Sequence, residues 1–566
     1  MTDVRRALLW VVLSMSLIFL WDSWRVHQGQ DPLFGVAPTT STSSMTGASA
    51  GPASAANNAG IPTAVPTTTA TTTPAAPKDA ATPASETFTV STDMIQATLD
   101  SKGGDLVKLE LLKHRDSNDS TKNVVIFDRS QERLYLAQTG LISSQAGLEL
   151  PNHLTILKRV TQETQLQQGQ DQLQVRWESP GDKGVKLVKT LTFHRGSYVV
   201  NAAHEIINTS GAAISPQIYY QLVRDGNPPK GESKLYFTFT GPAIYTEDKK
   251  FTKINFGDIE DTAENARENN RTTNNGWTAM VQHYFASAWL LGNERGFVQD
   301  RTFFTKKVAT NKYAVGMITP VGVIQPGEKK TMEARLFAGP QEEHKLAQIE
   351  PGLELVKDYG WFTILAKPLF WLLTQLYGLL GNWGWAIVAL VVLLKIAFYW
   401  LNASAYRSMA KMKAVQPRVM ALRERQKDNP QQMQQEMMKI YREEKVNPVG
   451  GCLPMVAQMP FFIALYWVLL STVEMRNAPW IGWINDLSAI DPYYILPLLM
   501  TATSLLQTWL NPTPADPMQA KMMWLMPLVF SIMFFFFPAG LVLYWLTNNI
   551  LSIAQQYMIN KRLGVT

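Results

Sequence analysis

The stretch Trp383–Leu401, WGWAIVALVVLLKIAFYWL, decides how this chain is read. At about 1.5 Å of rise per residue it reaches roughly 29 Å as a helix, the thickness of a bilayer's hydrocarbon core. Its one charge is Lys395. A charge at such depth costs at least about 2.5–3.5 kcal/mol on insertion scales, so it is tolerated facing protein or a watery cavity and marks a functional site by default. The bland alternative is that the side chain snorkels to the nearer interface.

Apolar runs of this kind fill the C-terminal part of the chain. Tyr359–Leu380 precedes the central run and is interrupted by Pro368, Gly378 and Gly381. Thr363, Lys367 and Thr374 fall on one helical face, opposite Trp361, Leu365, Phe370, Leu372 and Leu379. This pattern predicts an interfacial amphipathic helix on the outer leaflet, followed by a turn at Gly381-Asn382. Further spans are expected at Pro454–Val473 and Tyr493–Leu510. The last apolar region, Met522–Ile559, is too long for one crossing and is broken at Phe537-Pro538-Ala539-Gly540. Lys521 before it and Lys561-Arg562 after it carry the same sign, which suits two short spans returning to one side.

Between the second and third spans lies the polar segment Ala405–Val446. Its excess of Lys and Arg places it in the cytoplasm by the positive-inside rule. Asp428-Asn429-Pro430 breaks it into two helices of a hairpin. Near the N-terminus, Arg5 and Arg6 precede the apolar run Ala7–Trp21, and no small-x-small cleavage site follows it. Residues 1–26 are therefore read as an uncleaved anchor with its N-terminus inside. Residues 27–85 are read as a disordered linker. From Gly35 to Ala84 the composition collapses to Thr, Ala, Pro, Ser and Gly, too poor in apolar surface to offset the entropy of ordering.

Residues 86–345 alternate in short runs such as Thr190-Leu191-Thr192-Phe193, punctuated by turn signals such as Lys102-Gly103-Gly104 and Pro180-Gly181-Asp182. This is the pattern of an antiparallel β-sandwich. The fold expected is a polytopic α-helical membrane protein of six spans, with both termini in the cytoplasm. A large all-β sandwich sits within residues 27–358 on the periplasmic side. The helical core covers 355–562 and includes the cytoplasmic hairpin, 405–446.

The chemistry missing from the chain narrows its function. The net charge of +6 over 566 residues argues against a dedicated nucleic-acid binder, and no direct DNA binding is expected. There is no G-x-x-x-x-G-K-[ST] phosphate loop, no H-E-x-x-H or G-x-S-x-G motif, and no His/Cys cluster with metal-ligand spacing. Neither paired Asp nor a Ser/His pair lies inside the spans. No enzyme activity, catalytic residue, metal or cofactor is expected. The single cysteine, Cys452, reads as a packing residue.

What remains is polarity inside the spans. Tyr399 and Asn402 follow Lys395 by four and seven residues, hence on its helical face. Gln458 lies in the third span, Ser504 and Gln507 with Thr508 in the fourth, and Tyr544, Trp545 and Asn548 beside Asn549 in the sixth. If these faces converge, they line a hydrated groove with one positive charge. Taken singly, each reads equally as an interhelical hydrogen bond. Methionines are dense in the hairpin (Met409, Met412, Met420, Met433, Met437, Met438) and fit either promiscuous apolar binding or helix packing.

Several stretches resemble one family. Asn447-Pro448-Val449-Gly450-Gly451-Cys452-Leu453-Pro454 with Gln458-Met459-Pro460 is similar to the start of the third span in bacterial YidC membrane insertases (YidC/Oxa/Alb family). Ser408-Met409-Ala410-Lys411-Met412 with Gln416-Pro417, Asp491-Pro492-Tyr493-Tyr494-Ile495-Leu496-Pro497, and Phe537 through Trp545 are similar to it as well. The upstream domain resembles the Gram-negative periplasmic type, most visibly at Gly276-Trp277, Gln282 through Ala286, and Trp289.

The resemblance implies an inner-membrane insertase and chaperone that acts alone or with the Sec translocon, without ATP hydrolysis. It implies nascent membrane proteins as clients, and the ribosome and targeting factors as partners of the hairpin, within the lipid bilayer. It also implies a groove open to cytoplasm and lipid but closed outside, with Lys395 at the position of the family's positive residue and Trp545 at that of a groove aromatic. The family more often carries Arg there; Lys keeps the charge but lacks the planar five-donor fork. Two other classes stay open on the residues alone. One is a small-solute transporter, which the lack of inverted repeats disfavours. The other is a passive envelope scaffold, which the intramembrane polarity disfavours.

Overall fold

Alternation of apolar and polar residues builds the first of two compact units. The computed structural model describes residues 60–64, 85–117, 119, 121–145, 148–229, 238–261, 271–292, 300–426, 429–444, 453–511 and 517–562. The expected anchor, most of the linker, Cys452 and the Asn447–Cys452 motif lie outside them. The β unit comprises 60–64 and the described residues from 85 to 357, and the helical unit those from 358 to 562.

In the β unit, strand Gln172–Glu178 (QLQVRWE) buries every second residue, as one solvated face requires. Strand Gln217–Asp225 (QIYYQLVRD) is buried throughout, because it lies inside a 10-stranded sheet. A 9-stranded sheet forms the second layer, and the pairings within both are antiparallel. Contacts between the layers are partly polar. The Tyr135 hydroxyl lies 2.5 Å from Ser287 Oγ, Thr139 Oγ1 lies 2.8 Å from His204 Nε2, and Trp289 Nε1 donates to the Gln221 carbonyl at 3.1 Å. This is the β-sandwich the alternation predicts. Gly276 opens its Trp277–Val281 strand at φ +100°, and a Cβ there would lie 2.1 Å from the Tyr245 carbonyl oxygen. Trp277 then stacks on Tyr245 at 5.3 Å.

One part of the linker departs from its reading as a free tether. Gly60 and Pro62 are buried, and Ile61 and Ala64 pack against an apolar cluster on the 10-stranded sheet. Composition averaged over many residues hides so short an apolar segment.

The helical unit consists of α1 (Thr363–Leu380), α2 (Trp383–Ala397), α3 (Tyr399–Arg425), α4 (Pro430–Glu443), α5 (Leu453–Ser471), α6 (Ile495–Leu510), α7 (Pro517–Phe534) and α8 (Ala539–Arg562). Among the described residues, α1 alone is long and apolar enough by itself to cross a bilayer, with a mean hydropathy of 1.3. It buries Ala366, Leu369, Phe370 and Leu373, while Ile364, Trp371 and Leu379 point outward.

The run read as one span, Trp383–Leu401, is not a single helix. It ends at Ala397, and after Phe398 the chain continues as α3, bent by 69°. Unbroken hydropathy conceals such a bend. The hairpin's first helix accordingly begins at Tyr399, ahead of the expected Ala405. Asn429 caps α4 by accepting from Gln432 N–H, with Pro430 following it in the first turn. Met412 and Met437 pack with Val415 and Val419 between the hairpin's helices, whereas Met420 and Met438 are exposed. The last apolar region is broken between Phe534 and Ala539, where Pro538 lies.

Candidate functional site

One end of the helical unit is sealed by backbone. Asn382 caps α2 by accepting from Trp385 N–H, and its Nδ2 donates to the Pro479 and Trp480 carbonyls at 3.1 and 3.3 Å. Gly384 faces Trp480 so closely that a Cβ would lie 2.1 Å from the indole. The first N–H groups of α8, at Ala539 and Gly540, donate to the carbonyls of Ala489 and Leu487 at 2.7 and 2.8 Å. Asp491, 1% exposed, fixes the same loop by accepting from Trp483 Nε1, Tyr493 N–H and Leu496 N–H. The 473–494 loop thus satisfies donors that a helix start would otherwise leave bare.

Lys395 lies toward the other end, in the last turn of α2 and about 17 Å along it from Gly384. Its Nζ donates to Ser552 Oγ of α8 at 2.7 Å, and that hydroxyl donates to the Asn548 carbonyl at 2.7 Å. Among the described residues no carboxylate pairs with Lys395. Tyr399 and Asn402 stand beyond the bend, so helical spacing no longer relates them to Lys395. Tyr399 is 42% exposed, and its carbonyl accepts from Gln555 Nε2 at 3.5 Å. Asn402 is buried, and its Nδ2 has no partner among the described residues.

The remaining expected residues divide into two groups. Ser504 accepts from Asn549 Nδ2 at 3.0 Å, and this bond ties α6 to α8. Tyr544 is buried edge-on to Phe462, while Trp545 packs against Phe534 and Phe537. Those two aromatics belong to the apolar core nearer the sealed end. Gln458, Gln507 and the Asn548 side chain are partly buried.

The sequence reading passed over Ser552, Gln555 and Gln556, all buried on α8. Gln556 Nε2 donates to Asn511 Oδ1 at 3.1 Å, and its Oε1 has no partner among the described residues. The signal was present in their polarity at i, i+3 and i+4 within a predicted span. The outward surface of α6 and α7 is apolar: Leu498, Trp509, Leu525, Val529 and Ile532 are all exposed. Beneath that surface lies an apolar core, from Ala366 and Leu369 to Val542 and Leu546, with the polar row as an inclusion, so the unit is apolar outside as well as inside, unlike a soluble bundle. That arrangement defines a membrane-embedded protein with an internal polar site.

Comparison with known proteins carries the assignment further. The YidC periplasmic domain family matches residues 87–372, and the 60Kd inner membrane protein family matches residues 375–565. A chain from Cupriavidus metallidurans described as membrane protein insertase YidC is 53% identical over 568 residues, 99% of this chain and 98% of its own. One from Cupriavidus necator, described in the same words, is 51% identical over 562 residues with the same coverage. A solved structure described as an active YidC insertase covers 83% of this chain and 92% of its own, with 18% identity and a TM-score of 0.38. The chain belongs to the YidC membrane protein insertase family.

Proposed function

We propose that this chain inserts integral membrane proteins into the bacterial inner membrane and assists their folding. Similarity over nearly the whole length to chains named as insertases supports this. The observation that carries the mechanism is the Lys395 amine, held by the Ser552 hydroxyl with no described carboxylate partner. Its charge is therefore available to a guest.

On this reading the chain makes six crossings: the N-terminal anchor, α2, α5, α6, α7 and α8. Both termini and the 405–446 hairpin are cytoplasmic, residues 27–358 are periplasmic, and α1 lies along the outer interface. The bonds from Ala539 to Ala489 and from Gly540 to Leu487 support one side for the 473–494 loop and the 535–538 break, as that topology requires. That side is outside, so the site is closed there and open toward the cytoplasm.

The hairpin captures a hydrophobic segment emerging from the ribosome or handed over by targeting factors, alone or beside the Sec translocon. The segment's polar flank enters as far as Lys395, Tyr399, Asn402 and Ser504, while its apolar part moves into lipid along the exposed helices. Lys395 offsets part of the desolvation of an acidic flank. The apolar α6 of 16 residues reaches about 24 Å, short of a roughly 30 Å hydrocarbon core, so the bilayer thins locally and the crossing shortens. No step needs ATP.

The test is insertion of two clients that differ only in the charge of the translocated tail, in cells whose sole copy carries Lys395→Arg, Lys395→Ala or Lys395→Glu. Arg retains most activity, whereas Ala and Glu impair the acidic-tailed client selectively. Equal insertion of both clients by Lys395→Glu and by the parent would reject the electrostatic role.

A further inference from the structure

We propose that the outer face of the 10-stranded sheet is a built docking site for an extended, glycine-led peptide. Its resident occupant is the chain's own Gly60–Ala64, which clasps the 27–85 stretch to the sandwich near its middle. The anchor is polar and buried. Gln221 is 0% exposed, and its Nε2 donates to the Gly60 carbonyl at 3.0 Å and to Gln138 Oε1 at 2.9 Å. Gly60 holds φ +100°, a backbone conformation that side chains strain to adopt, so the first position favours glycine, and it lies beside the His153 ring.

The next residues add apolar contact in register. Ile61 and Ala64 pack on the cluster of Ile142, Tyr219, Val223, Phe304, Ala314 and Ile318. Pro62 is buried and Thr63 exposed, and Lys306 Nζ donates to the Ile61 carbonyl at 3.5 Å. A pentapeptide with so few contacts binds weakly when free. Joined to the same chain, it acts at a high effective concentration and holds.

The clasp divides the tether. If residues 1–26 are the membrane anchor, residues 27–59 alone set the sandwich's reach from it.

The experiment uses the full chain in detergent with Cys452→Ser, carrying Ala56→Cys, Ile61→Cys, Thr63→Cys, Ala64→Cys or Ala76→Cys one at a time. The readout is the rate of maleimide labelling. Cysteines at 61 and 64 are expected to react about tenfold more slowly than those at 56 and 76, as local protection requires. Thr63→Cys is expected to react near the rate of the last two. Adding Gly60→Val, which lies in the tether and leaves the sandwich's own contacts intact, brings position 64 to the unprotected rate without moving the sandwich's unfolding midpoint. Equal rates at 56, 61, 64 and 76, or protection that survives Gly60→Val, would overturn the clasp. Protection lost on dilution would overturn its occupation in cis.

Discussion

Lys189 in the β-sandwich is buried and Lys395 in the helical unit half-buried, and different chemistry holds them. Lys189 is 3% exposed and donates to Asp105 Oδ1 at 3.4 Å and to the Gly103 carbonyl at 3.0 Å. Burial pushes the Asp105 carboxyl up to about 7 and the Lys189 ammonium down, while their mutual attraction works against both shifts. Lys395 has a hydroxyl instead. A lysine with an internal counter-ion is a structural part. One with only a dipole for company keeps most of its field for whatever enters.

The comparison breaks most readily through stability. Lys189→Met leaves Asp105 buried without its counter-charge and is expected to cost about 3–5 kcal/mol in thermal unfolding of the full chain followed by circular dichroism. Replacing Asp105 with Leu in the same variant should recover most of that loss. Lys395→Met should stay within about 1 kcal/mol of the parent, since one hydrogen bond is lost. If Lys189→Met unfolds with the parent, the two lysines do not differ in kind.

A smaller effect asks whether the sealed end of the helical unit is packed as rigidly as the sandwich. Gly384→Val drives a side chain into Trp480 and is expected to cost about 1–3 kcal/mol by overpacking. A parent-like melting curve would mean that this end is pliable, and the closed side of the proposed groove would lose its support.

Ser552 sharpens the comparison directly. Ser552→Ala should cost about 1 kcal/mol and leave insertion of acidic-tailed clients near the parent level. Ser552→Asp should give Lys395 a resident counter-ion and lower that insertion to the level of Lys395→Ala. Full insertion by Ser552→Asp would show that the free charge is not what clients use.

A further effect lies in the pH dependence of the sandwich. His153 Nδ1 lies 2.5 Å from the Tyr219 hydroxyl, and burial, aided by the charges of Lys102 and Lys189, lowers its pKa from 6.5 to about 4. Between those values the unfolded chain binds the proton and the folded chain does not. Stability present above 6.5 is therefore lost as the pH falls toward 4. Asp105, raised from 3.8 to about 7, acts in the opposite sense, its share being lost as the pH rises through that window. The measurement is consequently the difference between parent and His153→Gln melting midpoints at pH 7.5 and 4.5. The parent's midpoint should fall relative to the variant's on acidification, and a constant difference would rule out burial of a neutral His153.

Period and punctuation made much of this architecture legible. The alternation in Gln172–Glu178, the Asn429-Pro430 cap and the Pro538 break each leave a local mark that physical chemistry reads without a partner. Other features have no local mark. The bend at Phe398 interrupts a run whose hydropathy never changes, so Tyr399 and Asn402 appear on a face they do not share with Lys395. Ser552 is one serine among several until α8 packs beside α2. Gly60–Ala64 has nearly the composition of its surroundings, and only a sheet face distant in sequence distinguishes it.

Peptide dipoles along α2 sum to roughly half a negative charge at its C-terminal end, and the 69° elbow is what ends the helix there. Lys395 sits in that final turn. The same elbow begins α3, whose positive end meets the negative end of α2, so the two backbone charges nearly cancel beside the ammonium. The junction of the two helices therefore leaves little net backbone charge at Lys395, and in the proposed groove a guest would meet the field of the ammonium itself.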